Sequence, residues 1–150
     1  IPIHDFYIKA GVVDLKPAEL QTAIIIPKEA YEGYFGHYIK YAMRNAMDIA
    51  TTGCSVNVKL SEDKKTILDA RIAYGVAGPV PMRAPSAEAK IRGKETGRAA
   101  VKEFAQAVLE DINPRDSWRA AKDFREHIAT VLAERALCES IRLAGGEVHE

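Results

Sequence analysis

The chain has 150 residues, with 21 Lys or Arg against 21 Asp or Glu, so its formal net charge is zero. That length suits one domain, or one domain with an extra arm. Balanced charge argues against broad electrostatic attraction to nucleic acid or to an anionic membrane, and no apolar run approaches the ~20 residues needed to span a bilayer.

No signal-peptide pattern is visible. Cys54 and Cys138 are the only cysteines, too few to ligate zinc or an iron–sulfur cluster alone. A reduced pair in the cytoplasm is the expectation. The sequence opens on Ile1 rather than Met, which suggests a piece of a longer protein.

In chain order, residues 1–27 read as an arm with little periodicity. It ends in Ile24, Ile25 and Ile26, a β-branched run closed by Pro27 that reads as a short buried strand. Gly33 to Ala42 is rich in aromatic and β-branched residues and predicts a strand. Cys54, Val56, Val58 and Leu60 alternate with Ser55, Asn57 and Lys59, the pattern of a half-buried strand. After the polar "SEDKK", Leu68, Ala70, Ile72 and Tyr74 alternate again, so the two runs form an antiparallel hairpin.

"YGVAGPVPMRAP" then breaks the pattern with Gly75, Gly78, Pro79, Pro81 and Pro85. A short helix is expected near Ser86 to Ile91, and a second from Glu95 to about Asp111, with Ala100, Val101, Phe104, Ala107 and Val108 at helical spacing. Asn113 before Pro114 breaks it. Asp116 or Ser117 then caps a third helix, whose apolar stripe is Phe124, Ile128, Val131, Leu132 and Ala136 and whose end is Gly145–Gly146. The whole reads as α+β: a three-stranded antiparallel sheet followed by three helices, in a two-layer sandwich.

Catalytic motifs are scarce. "GVAG" is neither GxGxxG nor a P-loop, so its glycines end a strand and permit a turn. Ser86 lacks a nucleophile elbow and reads as a helix cap. His4, His37, His127 and His149 lack metal-ligand spacing. One segment stands out: in "YIKYAMRNAMDIATTG", Lys40, Arg44 and Asp48 recur every four residues. On a helix they would form an ion-pair ladder. With Lys40 on a strand and Asp48 in the loop after it, they would line a cleft.

"YIKYAMRNAMDIA", the alternating strand after it, "ARIAYGVAGPVPMRAPSAEAKIRGK" and "SWRAAKDFREHIATVLAERAL" occur in that order. Together they resemble the C-terminal domain of the FAD-binding medium subunit of the molybdenum hydroxylases, a family that includes bacterial xanthine dehydrogenases and carbon monoxide dehydrogenases. The "SWR" segment leans toward the xanthine dehydrogenase-like members. The likeness runs from Glu32 to Gly146, and the arm is similar to the last stretch of the preceding FAD domain. This divides the chain into residues 1–30, the end of that domain, and 31–150, the C-terminal domain.

The resemblance implies that the "GVAGPVPMRAP" loop is a structural joint. It also implies that Lys40 sits beside the flavin ring, with Asp48 on the loop near the ring and Arg44 between them. FAD is the implied cofactor, and its pyrophosphate-binding segments would lie outside this sequence. The molybdenum cofactor and 2Fe-2S clusters would belong to partner subunits or domains. Electrons would pass through those clusters to FAD and on to NAD+ or another acceptor. The rival reading is a non-enzymatic assembly domain that touches no cofactor.

Overall fold

A computed structural model describes residues 1–150. The arm opens with one helical turn, α1 (Ile3–Phe6), and a small hairpin of β1 (Tyr7–Lys9) and β2 (Val12–Val13). The main sheet has the order β3 (Phe35–Tyr41), β4 (Thr52–Leu60), β5 (Ile67–Gly75) and β6 (Met82–Arg83), all antiparallel. Three helices cover one face: α2 (Pro85–Ile91), α3 (Arg98–Ala107) and α4 (Lys122–Leu143). The class is α+β, as expected.

The sheet has four strands rather than three. The Pro-rich joint folds back so that Ala73 and Tyr74 pair with Arg83 and Met82. Gly78 makes this possible, because a Cβ there would lie 2.6 Å from the Met82 sulfur. The left-handed residue of the turn is Val76 (φ 66°), not a glycine, a costly conformation for a β-branched side chain. Arg83 and Glu88 lock the return with an ion pair, and Glu88 Oε1 also accepts the Ile72 backbone N–H at 3.1 Å.

Ile24, Ile25 and Ile26 form no strand and stand exposed. No neighbouring strand of the chain pairs with them, so their β propensity goes unused. Ile24, Ile25 and the start of the chain line a surface cleft of about 580 Å³. The arm reaches the sheet through Tyr34, whose hydroxyl donates to Asp69, and through Arg71, which lies 4.2 Å over the Tyr34 ring and donates to the Ala30 carbonyl at 3.2 Å. Arg92 closes the group on Asp69 at 2.8 Å.

The hairpin between β4 and β5 forms as expected, but with a β-bulge. Lys59 pairs with Asp69 while Leu60 pairs with Ile67, leaving Leu68 as the extra residue. A bulge flips the alternation behind it. Ile67 therefore takes the core position, and Leu68, expected inside, is exposed.

The helices also differ in detail. Pro85 starts α2, a position its fixed φ favours. Ser86 is not the N-cap residue; Asp111 serves instead, accepting the Ser86 N–H at 2.9 Å and its hydroxyl at 3.1 Å. α3 begins at Arg98 rather than Glu95, because residues 94–96 are bound to the hairpin end: Lys94 accepts from Ile67, and Thr96 donates to Lys65. Neither Asp116 nor Ser117 is the N-cap residue of α4: the helix starts at Lys122 after Ala121, and the Asp116 carboxylate reaches it from outside, accepting the Lys122 N–H at 2.7 Å. The far end closes with Gly145 at φ 83° and paired bonds from Gly145 to Arg142 and from Gly146 to Ile141, the two-bond left-handed stop.

The inward stripe of α4 is rotated from expectation. Arg125, Ala129, Leu132, Ala133, Ala136, Leu137, Ser140 and Ile141 are buried, while Phe124 is exposed and Ile128 and Val131 are intermediate. Small residues let the helix axis approach β3 and β4 closely. The Ser140 hydroxyl then reaches the Val56 carbonyl at 2.8 Å, and the buried Tyr74 hydroxyl donates to the Ala129 carbonyl at 2.8 Å. One core joins the sheet and all three helices.

Candidate cofactor-facing site

β3 alternates His37, Ile39 and Tyr41 toward the helices with Tyr38 and Lys40 on the opposite face. Lys40 is thus a strand residue on the side of the sheet that the helices leave open. Arg44 and Asp48 lie in the loop of residues 42–51 that follows. The chain there is not helical, so the ion-pair ladder does not form.

The loop is organised around Asp48. Its Oδ2 accepts the Arg44 N–H and its Oδ1 accepts the Ile49 N–H, each at 3.0 Å. Burial pushes the Asp48 pKa up, but the backbone donors of Arg44, Ile49 and Met43 and the Arg44 charge outweigh it, and the carboxylate sits below its usual range. The Arg44 guanidinium donates to the Met47 carbonyl at 2.7 Å and stays 3.9 Å from Asp48 Oδ1. Lys40 Nζ donates to the Asp48 backbone carbonyl at 2.6 Å. The three predicted residues therefore meet, with Asp48 as the hub. Lys40 is held by a neutral carbonyl, so its position is fixed while its charge is not cancelled.

Two further features surround Lys40. Met47 has φ 50° and is 94% exposed, a left-handed conformation uncommon for a residue other than glycine. Next to Lys40 in register stands Gly53, and beyond it Gly75. The Tyr38 phenol leans across Gly53, where a Cβ would lie 2.8 Å from its oxygen, and a Cβ on Gly75 would enter open space. Lys40, Gly53 and Gly75 thus stand in one cross-strand row on the helix-free face, with the Tyr38 phenol covering Gly53.

Sequence reasoning missed the support behind the loop. Arg125, on the buried stripe of α4, donates to the Thr51 carbonyl and, at 2.9 Å, to Ser117 Oγ. Thr51 in turn donates to the Tyr41 carbonyl at 2.8 Å, and Tyr41 meets Phe124 with ring centroids 6.1 Å apart. The loop's far end is thereby pinned to α4. The available signal was an arginine in the same helical phase as Leu132 and Ala136. Both cysteines are free; burial pushes the Cys54 thiol up to about 12.

The CO dehydrogenase flavoprotein C-terminal domain family matches residues 37–140. The chain belongs to that family. Among its relatives, the xanthine dehydrogenase FAD-binding subunit of Escherichia coli O157:H7 is 34% identical over 148 residues, covering 99% of this chain and 50% of that protein. The glyceraldehyde dehydrogenase medium chain of Sulfolobus acidocaldarius is 31% identical over 135 residues, covering 90% of this chain and 46% of that one. The chain thus spans about half the length of the curated relatives it matches. A crystal structure of the Cu,Mo-CO dehydrogenase in its cyanide-inactivated form superposes with a TM-score of 0.79 at 23% identity, covering 92% of this chain and 47% of the other. Quinoline 2-oxidoreductase from Pseudomonas putida 86 gives 0.76 at 19%, covering 93% and 47%. At those identities the likeness speaks for the fold alone. The expected family resemblance is borne out, and no helix is long and apolar enough to cross a membrane.

Proposed function

We propose that this chain is the C-terminal half of the FAD subunit of a cytoplasmic, xanthine dehydrogenase-like molybdenum hydroxylase. In this reading residues 1–30 complete the preceding FAD-binding domain, and residues 31–150 close one side of the flavin site. Partner subunits hold the molybdenum cofactor and the 2Fe-2S clusters, and NAD+ or another acceptor takes the electrons. The names of the relatives support this, and the observation that carries it is Lys40: an ammonium fixed by the Asp48 carbonyl on the helix-free face of the sheet, in a cross-strand row with Gly53 and Gly75.

Bound flavin supplies the relay between one-electron centres and a two-electron acceptor. The chain's own share is electrostatic. Lys40 presents a positive charge where negative charge grows as the ring is reduced, and a poorly solvated contact strengthens that attraction. Asp48 and Arg44 hold the loop that holds Lys40. The exposed Ile24–Ile26 segment and its cleft supply apolar surface for the preceding domain to cover.

A redox titration of the complete complex carrying Lys40→Met tests this. Removing the ammonium lowers the flavin potential by tens of millivolts, since ~30 mV corresponds to ~1.4 kcal/mol for a two-electron couple. The reaction at molybdenum stays intact. An unshifted potential with normal turnover would sink the assignment and favour an assembly domain without cofactor contact.

A further inference from the structure

The buried Arg125 at the start of α4 bonds Ser117 Oγ under the loop that carries Arg115 and Arg119, and Ser117 Oγ also accepts the Arg119 N–H. Arg125 is 4% exposed. Its terminal nitrogens reach the Thr51 carbonyl and Ser117 Oγ, and its Nε–H has no partner. A guanidinium cannot shed its charge, and a buried charge without a counter-ion is costly. Burial, and then the repulsion of Arg115 and Arg119, pulls the Arg125 pKa down. None of the three takes part in an ion pair. The loop's own carboxylate, Asp116, accepts the Lys122 N–H. The α4 N-terminus adds its partial positive charge to the same place.

Trp118 stands in the middle of this loop, 84% exposed, with the Arg119 guanidinium 4.1 Å from its ring. Tryptophan and arginine are the residue types that most often dominate the energetics of protein interfaces. A small anion would satisfy the charges and leave the indole in water. A protein segment with both carboxylates and apolar surface satisfies both.

The loop also lies away from where the earlier part of the chain arrives. Residues 28–34 join the sheet beside Asp69 and Arg71, next to the Phe35 end of β3 and on the face without helices. The Trp118 loop is tied through Arg125 to Thr51, at the Tyr41 end and on the helix side. Seven strand residues at ~3.3 Å each separate those ends by about 20 Å.

We propose that Arg115, Trp118 and Arg119, backed by the buried Arg125, dock a carboxylate-bearing segment of another subunit, with Trp118 entering an apolar recess on it. This rests on the reading of the chain as part of a multi-subunit assembly. The test uses the complete complex, with Trp118 replaced by a photo-crosslinking phenylalanine derivative (Trp118→p-benzoyl-Phe) and, separately, with Arg115→Glu and Arg119→Glu combined. The crosslinks should fall on an Asp- or Glu-containing segment of a different polypeptide. The charge reversal should weaken subunit association at least about tenfold at low salt and flatten its salt dependence. Should the reversed protein fail to fold, Arg115→Gln with Arg119→Gln gives the same readout in milder form. Crosslinks confined to the protein's own polypeptide, or unchanged subunit affinity and salt slope, would overturn the proposal. An unsubstituted protein that joins no larger assembly would overturn the assembly reading and this site with it, and is distinguished because the defect precedes any substitution.

Discussion

Leu132 and Phe124 lie on the same helix and were both expected in its apolar stripe, yet only Leu132 is buried, at 3% exposure. Leu132→Ala should therefore cost about 2–5 kcal/mol, the range for deleting a buried leucine side chain. Chemical denaturation measures it, and a loss within ~0.5 kcal/mol would place the residue at the surface. The α4 sequence left the phase ambiguous because the buried Ala129, Ala133 and Ala136 carry little hydrophobic weight beside the bulkier Phe124, Ile128 and Val131. What decides it is close packing of Ala129, Ala133, Ala136 and Ser140 on the sheet, with Arg125 carried inward in the same phase. An inward arginine runs against hydrophobic patterning, and so it escaped a reading built on that patterning.

Asp69 carries a second prediction at this scale. Burial raises its pKa, but the Tyr34 hydroxyl and the Arg92 and Arg71 guanidiniums outweigh it and hold it below its ordinary value. A carboxylate whose folded pKa is depressed stabilises the fold above its unfolded pKa, and that stability is lost as pH falls through the folded one. Asp69→Asn should thus be less stable than the parent near neutral pH. The gap should narrow as pH drops from about 4 toward 2. Denaturant titrations across that range check it; a constant gap would mean that the ionised form of Asp69 contributes nothing.

Among the elements, the β4–β5 hairpin shows what alternation can and cannot tell. The polar "SEDKK" turn and the two flanking strands were legible because period two and turn chemistry agree. The turn is closed by Ser61 and Asp63, with Lys64 at φ 62°. The bulge was not legible, since one extra residue leaves both Ile67 and Leu68 apolar and only pairing with β4 decides between them. Ile67→Ala should cost about 2–5 kcal/mol and Leu68→Ala at most ~0.5 kcal/mol. The reverse order in thermal or denaturant unfolding would place the bulge elsewhere. β6 was missed for a similar reason: two residues between prolines carry no periodicity, and the strand exists because Gly78 and the Arg83–Glu88 pair bring them beside β5. The C-terminal end of the long helix was legible from Gly145, whose chemistry is local, whereas its start at Lys122, six residues after Asp116, was not.

For the molecule as a whole, two cationic surfaces lie on opposite sides of the sheet. The helix-free face of the sheet carries the arm, Lys40 and the Asp48 loop; the helix side carries Trp118 and its arginines. The grouping of Lys40, Arg44 and Asp48 was legible in their spacing, but their arrangement was not. Four-residue spacing suits a helix, and the loop instead wraps Asp48 in backbone N–H groups. Gly53 and Gly75 were unremarkable in sequence and acquire meaning only through register with Lys40. The account predicts that the preceding domain brings FAD to that face. A crystal structure of the complete FAD-loaded subunit measures this directly. The flavin ring should lie within about 6 Å of Lys40 Nζ, the range over which a neighbouring charge favours an ionised form, with Gly75 beneath or beside it. A ring bound farther away, with Lys40 in solvent or covered by another subunit, would contradict the account.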